Sequence, residues 1–119
     1  MMSYKRGDVV LVRFPNSDLK TYKKRPALVI QSDDLKTEIH QKIVALITSN
    51  PKRAIKGLPS RIAVIKNSTL GQEMGILSDS VIVLDNLATI LERTIERTIG
   101  SSTSLSGSID DGLRTTLKL

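Results

Sequence analysis

Five short apolar runs govern what this chain can fold into: "DVVLVRF" (8–14), "PALVI" (26–30), "KIVALIT" (42–48), "RIAVI" (61–65) and "SVIVLD" (80–85). All are rich in β-branched residues and too short for amphipathic helices. They are separated by turn material such as "PNSD", "QSDD", "SNPK" and "NSTLGQEMG", so they read as strands. Five strands of this length make a sheet that curls, and two further runs, "LATIL" (87–91) and "TIERTIG" (94–100), read as its edges. The fold class is therefore mainly β. The last segment, "SIDDGLRTTLKL", is the exception. Ser108 and Asp111 stand at capping-box spacing, and Ile109, Leu113 and Leu117 recur every four residues, which predicts a C-terminal α-helix laying one stripe on the sheet. A second helical turn is expected in "SDDLKTEIHQ" (32–41), which opens on good N-cap residues. "GSSTSLSGS" (100–108) reads as a polar connection. At 119 residues the chain is long enough for one core and not two, so residues 1–119 form a single domain.

Charge narrows the partner. The chain carries 18 Lys and Arg against 12 Asp and Glu, a net charge of +6, with a pI near 9.8. Residues 1–60 hold 12 cations and 5 anions, while residues 61–119 hold 6 and 7. An excess confined to one half makes a patch, and a basic patch suits a polyanion, either nucleic acid or an acidic protein. The absence of cysteine excludes disulfide staples, thiol catalysis and thiolate metal sites. No apolar stretch has the length of a signal peptide or a membrane span. A cytoplasmic protein is expected.

Chemistry has few places to sit. The single histidine, His40, lies in a polar segment and reads as a solvated side chain; one imidazole does not make a zinc site. The glycines form no phosphate-cradling motif. What remains is a set of polar residues at strand ends. In "KKRPALVI" (23–30), Pro26 keeps Arg25 extended at the mouth of the strand from Ala27 to Ile30, with Lys23 and Lys24 crowding it. Thr48, Ser49 and Asn50 close the third strand. The loop "PKRAIKGLP" that follows carries Lys52, Arg53 and Lys56, and loops of that length are more often functional than filler. Asp85 and Asn86 interrupt the apolar run "LDNLATI". Each of these taken singly also has an ordinary reading as a solvated charge, a strand threonine or a turn former. Three aromatic residues, Tyr4, Phe14 and Tyr22, are too few for a multi-base stacking platform.

Taken together, "RGDVVLVRF", "KRPALVI", "IVALITS" and "VIVLDNLATI", followed by a closing amphipathic helix, resemble the MazF/PemK family of toxin–antitoxin endoribonucleases over nearly the whole chain. Three separated motifs carry the resemblance: Gly7-Asp8 opening the first strand, Arg25-Pro26 opening the second and Thr48-Ser49 closing the third. It implies a small SH3-like curled β-barrel with a C-terminal helix, a homodimer, and cleavage of single-stranded RNA with neither metal nor cofactor. It places the family's arginine on Arg25 and its hydroxyl residue on Thr48 as the catalytic pair. Lys23, Lys24, Ser49, Asn50, Lys52, Arg53, Asp85 and Asn86 are the expected substrate-binding residues, and a small acidic antitoxin is the expected protein partner. The chain departs from the family's pattern in "LKTYKK" before Arg25, at Asn86 in place of glutamine and at Ala88 in place of arginine; these positions bear on which RNA sequence is cut. The chemistry implied is attack of the ribose 2′-OH on the adjacent phosphate, with the guanidinium facing the charge that gathers on the phosphorane. The alternative on the same fold is a non-catalytic barrel that binds RNA or poisons DNA gyrase in the manner of CcdB.

Overall fold

The computed structural model describes residues 4–15, 18 and 20–119, with only the backbone of residues 14 and 15. Strands β1 (Asp8–Pro15), β2 (Tyr22–Val29), β3 (Gln41–Thr48), β4 (Arg61–Val64), β5 (Ser80–Leu91) and β6 (Ile95–Ser101) form one antiparallel sheet in the order β4-β5-β3-β2-β1-β6. Two helices, α1 (Thr69–Met74) and α2 (Ser106–Leu117), complete the domain. The five expected strands and the C-terminal helix are all present. The barrel is not closed: β4 and β6 are the two edges, and no pairing joins them among the described residues.

The β-branched runs are continuous rather than alternating because both faces are buried through β1, the second half of β2, β3 and the first half of β5. Val9 and Leu28, paired across β1 and β2, point into one cluster with Ile47, Ile82, Leu84 and the α2 residues Ile109 and Leu113. Their neighbours Val10 and Ala27, paired one step along, point into a second cluster with Tyr4, Val44 and Ile95. Gly7 makes the turn into β1, at φ +95°, a conformation that disfavours any side chain; the buried Ser102 hydroxyl donates to its carbonyl. The turn into β2 is held by Asp18, whose carboxylate accepts from the backbone N–H groups of Lys20 and Thr21.

Several local expectations change. "LATIL" is not a separate strand but the second half of β5. Ala45 pairs with Leu87 while its neighbour Leu46 pairs with Val83, so Leu84, Asp85 and Asn86 are looped out as a bulge inside one strand. β2 begins at Tyr22, four residues before Pro26, because β1 runs on to pair Arg13 with Lys24 and Pro15 with Tyr22; Arg25 therefore lies within a strand and not at its mouth. Residues 32–40 form turns and bends and no helix, and Gln41 already belongs to β3; Asp33 is drawn away to accept from the backbone N–H of Arg6. "NSTLGQEMG", read as turn material, contains α1, capped by the Ser68 hydroxyl accepting from Gly71 N–H and ended by Gly75 in the left-handed region. α2 starts at Ser106, two residues before the expected cap Ser108, because a 3-10 turn at Thr103–Leu105 feeds straight into it. Leu117, expected in its apolar stripe, is 52% exposed.

α1 packs against β6 at backbone distance. A Cβ on Gly100 would stand 2.2 Å from the carbonyl carbon of Met74, and one on Gly75 would stand 2.0 Å from the carbonyl oxygen of Ile99. The obstructing atoms are backbone, which yields poorly. Gly100→Ala is therefore expected to lower stability by about 1–3 kcal/mol, read as a lower urea midpoint at unchanged slope; an unchanged midpoint would show that α1 can move aside freely.

Candidate active site

A cleft of about 210 Å³ opens where the pairing of β2 with β3 stops, beside the turn that follows α1. Its wall on the β2 and β3 side is Lys23, Lys24, Arg25, Thr48 and Ser49, five of the ten expected site residues. Arg25 and Thr48 each lie two residues beyond the last paired couple of these strands, Ala27 and Leu46, so two residues 23 apart in sequence come together where the ladder ends. Pro26 cannot donate a ladder hydrogen bond, and the pairing of β2 with β3 stops short of it.

The other five fall elsewhere. Arg53, Asp85 and Asn86 line a second, shallow pocket of about 270 Å³ with Leu46, Arg61 and Val83. Asn50 and Lys52 line neither: the Asn50 side chain accepts from Lys52 N–H at 3.1 Å and caps the 3-10 turn Pro51–Arg53. Lys24, expected to steer substrate, is ion-paired with Glu96 on β6 at 3.0 Å. The supposed crowding of three cations is eased in this way, and by the alternation of strand side chains to opposite faces. Tyr22 lies under the guanidinium of Arg13, 5.0 Å from its ring centre.

Electrostatics separate Arg25 from its fellows. Three arginines are half-buried: Arg6, Arg25 and Arg61. Arg6 is paired with Asp110 at 2.7 Å and also donates to the Ile30 carbonyl. Arg61 is paired with Asp85 at 2.9 Å. Arg25 has no hydrogen bond or ion pair among the described residues. A partly desolvated guanidinium without a counter-charge is a site for an anion. Beside it, Thr48 Oγ1 accepts from the backbone N–H of Asn50 at 3.2 Å; an accepting hydroxyl keeps its own proton free to donate.

Arg61 is the residue the sequence did not disclose. Its Nε reaches both Asp85 oxygens, at 3.1 and 2.9 Å, and its Nη1 donates to the Arg53 carbonyl at 2.8 Å. Ser60 adds a hydroxyl bond to Asp85 at 2.8 Å. The bulge in β5 thus ties down the start of the cationic loop through one guanidinium. Nothing in "SRIAVI" signals a partner 24 residues away. The Arg61 hydrogen bonds hold the Asp85 carboxyl below the usual carboxylate range, against a smaller opposing effect of burial.

The fold and site define a class: a small curled sheet with a cationic, hydroxyl-bearing cleft where the ladder between two of its strands stops. Residues 5–117 match the family of PemK-like, MazF-like toxins of type II toxin–antitoxin systems, and the chain belongs to that family. Solved structures agree on the fold. The Mycobacterium tuberculosis toxin MazF-mt6 is 21% identical, with a TM-score of 0.69 over 94% of this chain and 97% of that one. The MazE-MazF structure from Deinococcus radiodurans is 16% identical, with a TM-score of 0.72 over 100% and 99%. An endoribonuclease in complex with its cognate antitoxin from a mycobacterial species is 18% identical, with a TM-score of 0.69 over 98% and 97%. No curated protein matches by sequence. Family membership favours the toxin nuclease over the gyrase-poisoning alternative. No helix among the described residues is long and apolar enough to cross a membrane.

Because the folded carboxyl of Asp85 ionises below its unfolded value, its contribution to stability is present above the unfolded value of about 4 and is lost as pH falls through the lower folded one. Asp85→Asn is expected to lower the urea midpoint at pH 7, with the gap to wild type narrowing below pH ~4. A gap that stays constant through that range would mean that the charge of Asp85 contributes nothing.

Proposed function

We propose that this toxin cuts single-stranded RNA in the Arg25 cleft, in the cytoplasm. The observation that carries the reading is the half-buried guanidinium of Arg25, which has no counter-charge among the described residues, together with the Thr48 hydroxyl, which accepts from Asn50 N–H and keeps its proton to donate. The ribose 2′-OH attacks the adjacent phosphorus, the P–O5′ bond breaks, and the products are a 2′,3′-cyclic phosphate and a 5′-OH. As the phosphorane forms, charge grows on its non-bridging oxygens. A planar guanidinium offers those oxygens several donors in fixed geometry, and Thr48 Oγ1–H adds another. An arginine stays protonated across the physiological range, so Arg25 acts first as stabiliser and orienter. Lys23 and Ser49 extend the rim along the phosphate chain.

The same site is the natural target of an inhibitor. An acidic antitoxin segment lying over Arg25 and the 52–56 loop would satisfy the cations that RNA otherwise engages; the antitoxin-bound mycobacterial endoribonuclease supports such a partner.

The working unit is a homodimer. Past Asp85, β5 has β3 on one side and no strand on the other among the described residues. A separate apolar groove of about 490 Å³ is lined by Leu35, Leu87, Leu117 and Leu119. An unpaired edge and an apolar groove are what a two-fold, self-complementary interface covers. Sedimentation should show a dimer at micromolar concentration, and Leu117→Lys with Leu119→Lys should shift it to monomer. A wild-type monomer would overturn the assembly.

Arg25→Lys keeps the charge that attracts RNA and removes the planar fork. Single-turnover cleavage is expected to fall by ~10²- to 10³-fold, while affinity for an uncleavable 2′-deoxy analogue changes little. Thr48→Ala should slow cleavage as well. A lysine variant that cuts within a few-fold of wild type, together with an unaffected Thr48→Ala, would reduce Arg25 to a steering charge.

A further inference from the structure

The hairpin of β1 and β2 outruns the sheet. β3 pairs with β2 no further than Ala27, and β6 pairs with β1 no further than Val12, whereas β1 and β2 stay paired out to Pro15 and Tyr22. Past Val12 and Arg25 the hairpin is a two-stranded ribbon with both edges unpaired among the described residues. Side chains alternate across it. Lys23 and Arg25 stand on one face; Tyr22, Lys24 and Arg13, the cross-strand partner of Lys24, stand on the other. Leu11, two residues before Arg13, pairs with Arg97 of β6, which adds a further cation to that second face. The carboxylate there, Glu96, is taken by Lys24 at 3.0 Å. Arg13 and Arg97 have no hydrogen bond or ion pair among the described residues. Arg13 instead lays its guanidinium over the ring of Tyr22, 5.0 Å from the ring centre, the reach of a diagonal pair across two strands. Tyr22 is nonetheless 60% exposed, whereas the other tyrosine, Tyr4, is in the core. An exposed pair of this kind adds about 0.5–1 kcal/mol to a fold. It also leaves an aromatic face and an unpaired guanidinium open to solvent, three residues along β2 from Arg25.

We propose that the Arg13–Tyr22 pair is a stacking platform for one unpaired nucleobase of the RNA strand, on the face of the ribbon opposite Arg25. This rests on the RNA-cleaving reading above. Aromatic rings and guanidinium planes both stack bases, and here the ring already holds the guanidinium, so little side-chain freedom is lost when a base arrives. The strand reaches the platform round the free edge of β2, passing Lys23 and Arg25 on one face and Lys24 on the other. Tyr22 lies about 10 Å from Arg25 along an extended strand, so the stacked base belongs to the flank of the cut and not to the cut itself. Stacking tolerates any base, so the platform fixes where the strand lies rather than which sequence it carries. It requires a splayed base, which excludes duplex RNA from this path. The consecutive cations Lys23, Lys24 and Arg25 then serve two faces of one substrate track.

Arg13 and Tyr22 are exposed, so replacing them should leave folding intact, and circular dichroism with the urea midpoint verifies this. Cut sites are first mapped by sequencing new 5′ ends in a long unstructured RNA, and the probe is an oligonucleotide spanning one cut, made uncleavable by a 2′-deoxy residue there. Tyr22→Ala is expected to weaken its Kd about five- to twentyfold, and Tyr22→Phe, which keeps the ring, to bind as wild type does. Arg13→Lys keeps the charge and loses the plane, so it should weaken binding several-fold with an unchanged slope of log Kd against log salt concentration. An abasic residue scanned along the probe should, at one flanking position, weaken wild type to the level of Tyr22→Ala and leave that variant unaffected. Wild-type affinity in either Tyr22→Ala or Arg13→Lys, or a loss that no abasic position reproduces, overturns the proposal. Should wild type bind a labelled random-sequence RNA without cutting it, the nuclease reading fails, and the Kd of Tyr22→Ala on that RNA still decides the platform, an unchanged Kd overturning it. A wild type that neither binds nor cuts overturns both.

Discussion

The backbone contact between α1 and β6 is the constraint on which the remainder of the molecule rests. An open six-stranded sheet has two edges, and here the edge strand β6 is met by the short helix that follows the other edge strand, β4. Gly75 and Gly100 let the chains approach so closely that a Cβ at either would strike backbone. With that approach made, the turn at Ile76–Ser78 and Ile99 come to line the same candidate cleft as Arg25 and Thr48, at the point where the β2–β3 ladder stops. Without it the cleft beside Arg25 and Thr48 would lie open, and water screens a guanidinium and weakens whatever it holds.

The allocation of counter-charges follows from the same curl. Arg6 ties the N-terminal turn to α2 through Asp110 and to the residues after β2 through Ile30 and Asp33. Arg61 ties β4 to the bulge of β5 and to the start of the cationic loop. Both guanidinia are neutralised and serve the architecture. Arg25 alone of the half-buried three is left for a ligand, and its neighbour Lys24 is drawn away to Glu96. A basic chain is thus not uniformly sticky. Its buried cations are spent on structure except at one cleft.

Two misreadings of the sequence have a common cause. Asp85 and Asn86 look like a strand boundary because polar residues interrupt an apolar run, yet the run continues beyond them; the sheet absorbs them as a bulge because Ser60 and Arg61 offer partners for the carboxylate. "NSTLGQEMG" looks like a turn because it is polar and rich in glycine, yet Ser68 and Gly75 are a helix cap at either end and Gly71 fits against the carbonyl of Ile65. In each case the deciding atoms lie on a strand distant in sequence or on the preceding loop. Local pattern registers polarity and glycine content without registering what waits across the fold.

Periodicity alone determined the five strands, the closing helix and the mainly β class, since short β-branched runs punctuated by turn residues have few other ways to bury themselves. The pairs Arg25-Pro26 and Thr48-Ser49 also marked residues that line one cleft, because a proline and a strand end both announce where a ladder stops. The sequence could not indicate that Lys24 is neutralised, that Arg61 holds Asp85, or that Arg25 has no ion pair among the described residues. Each of these depends on residues from separate elements meeting in space, and electrostatic pairing and burial are properties of distances, which only the folded chain defines.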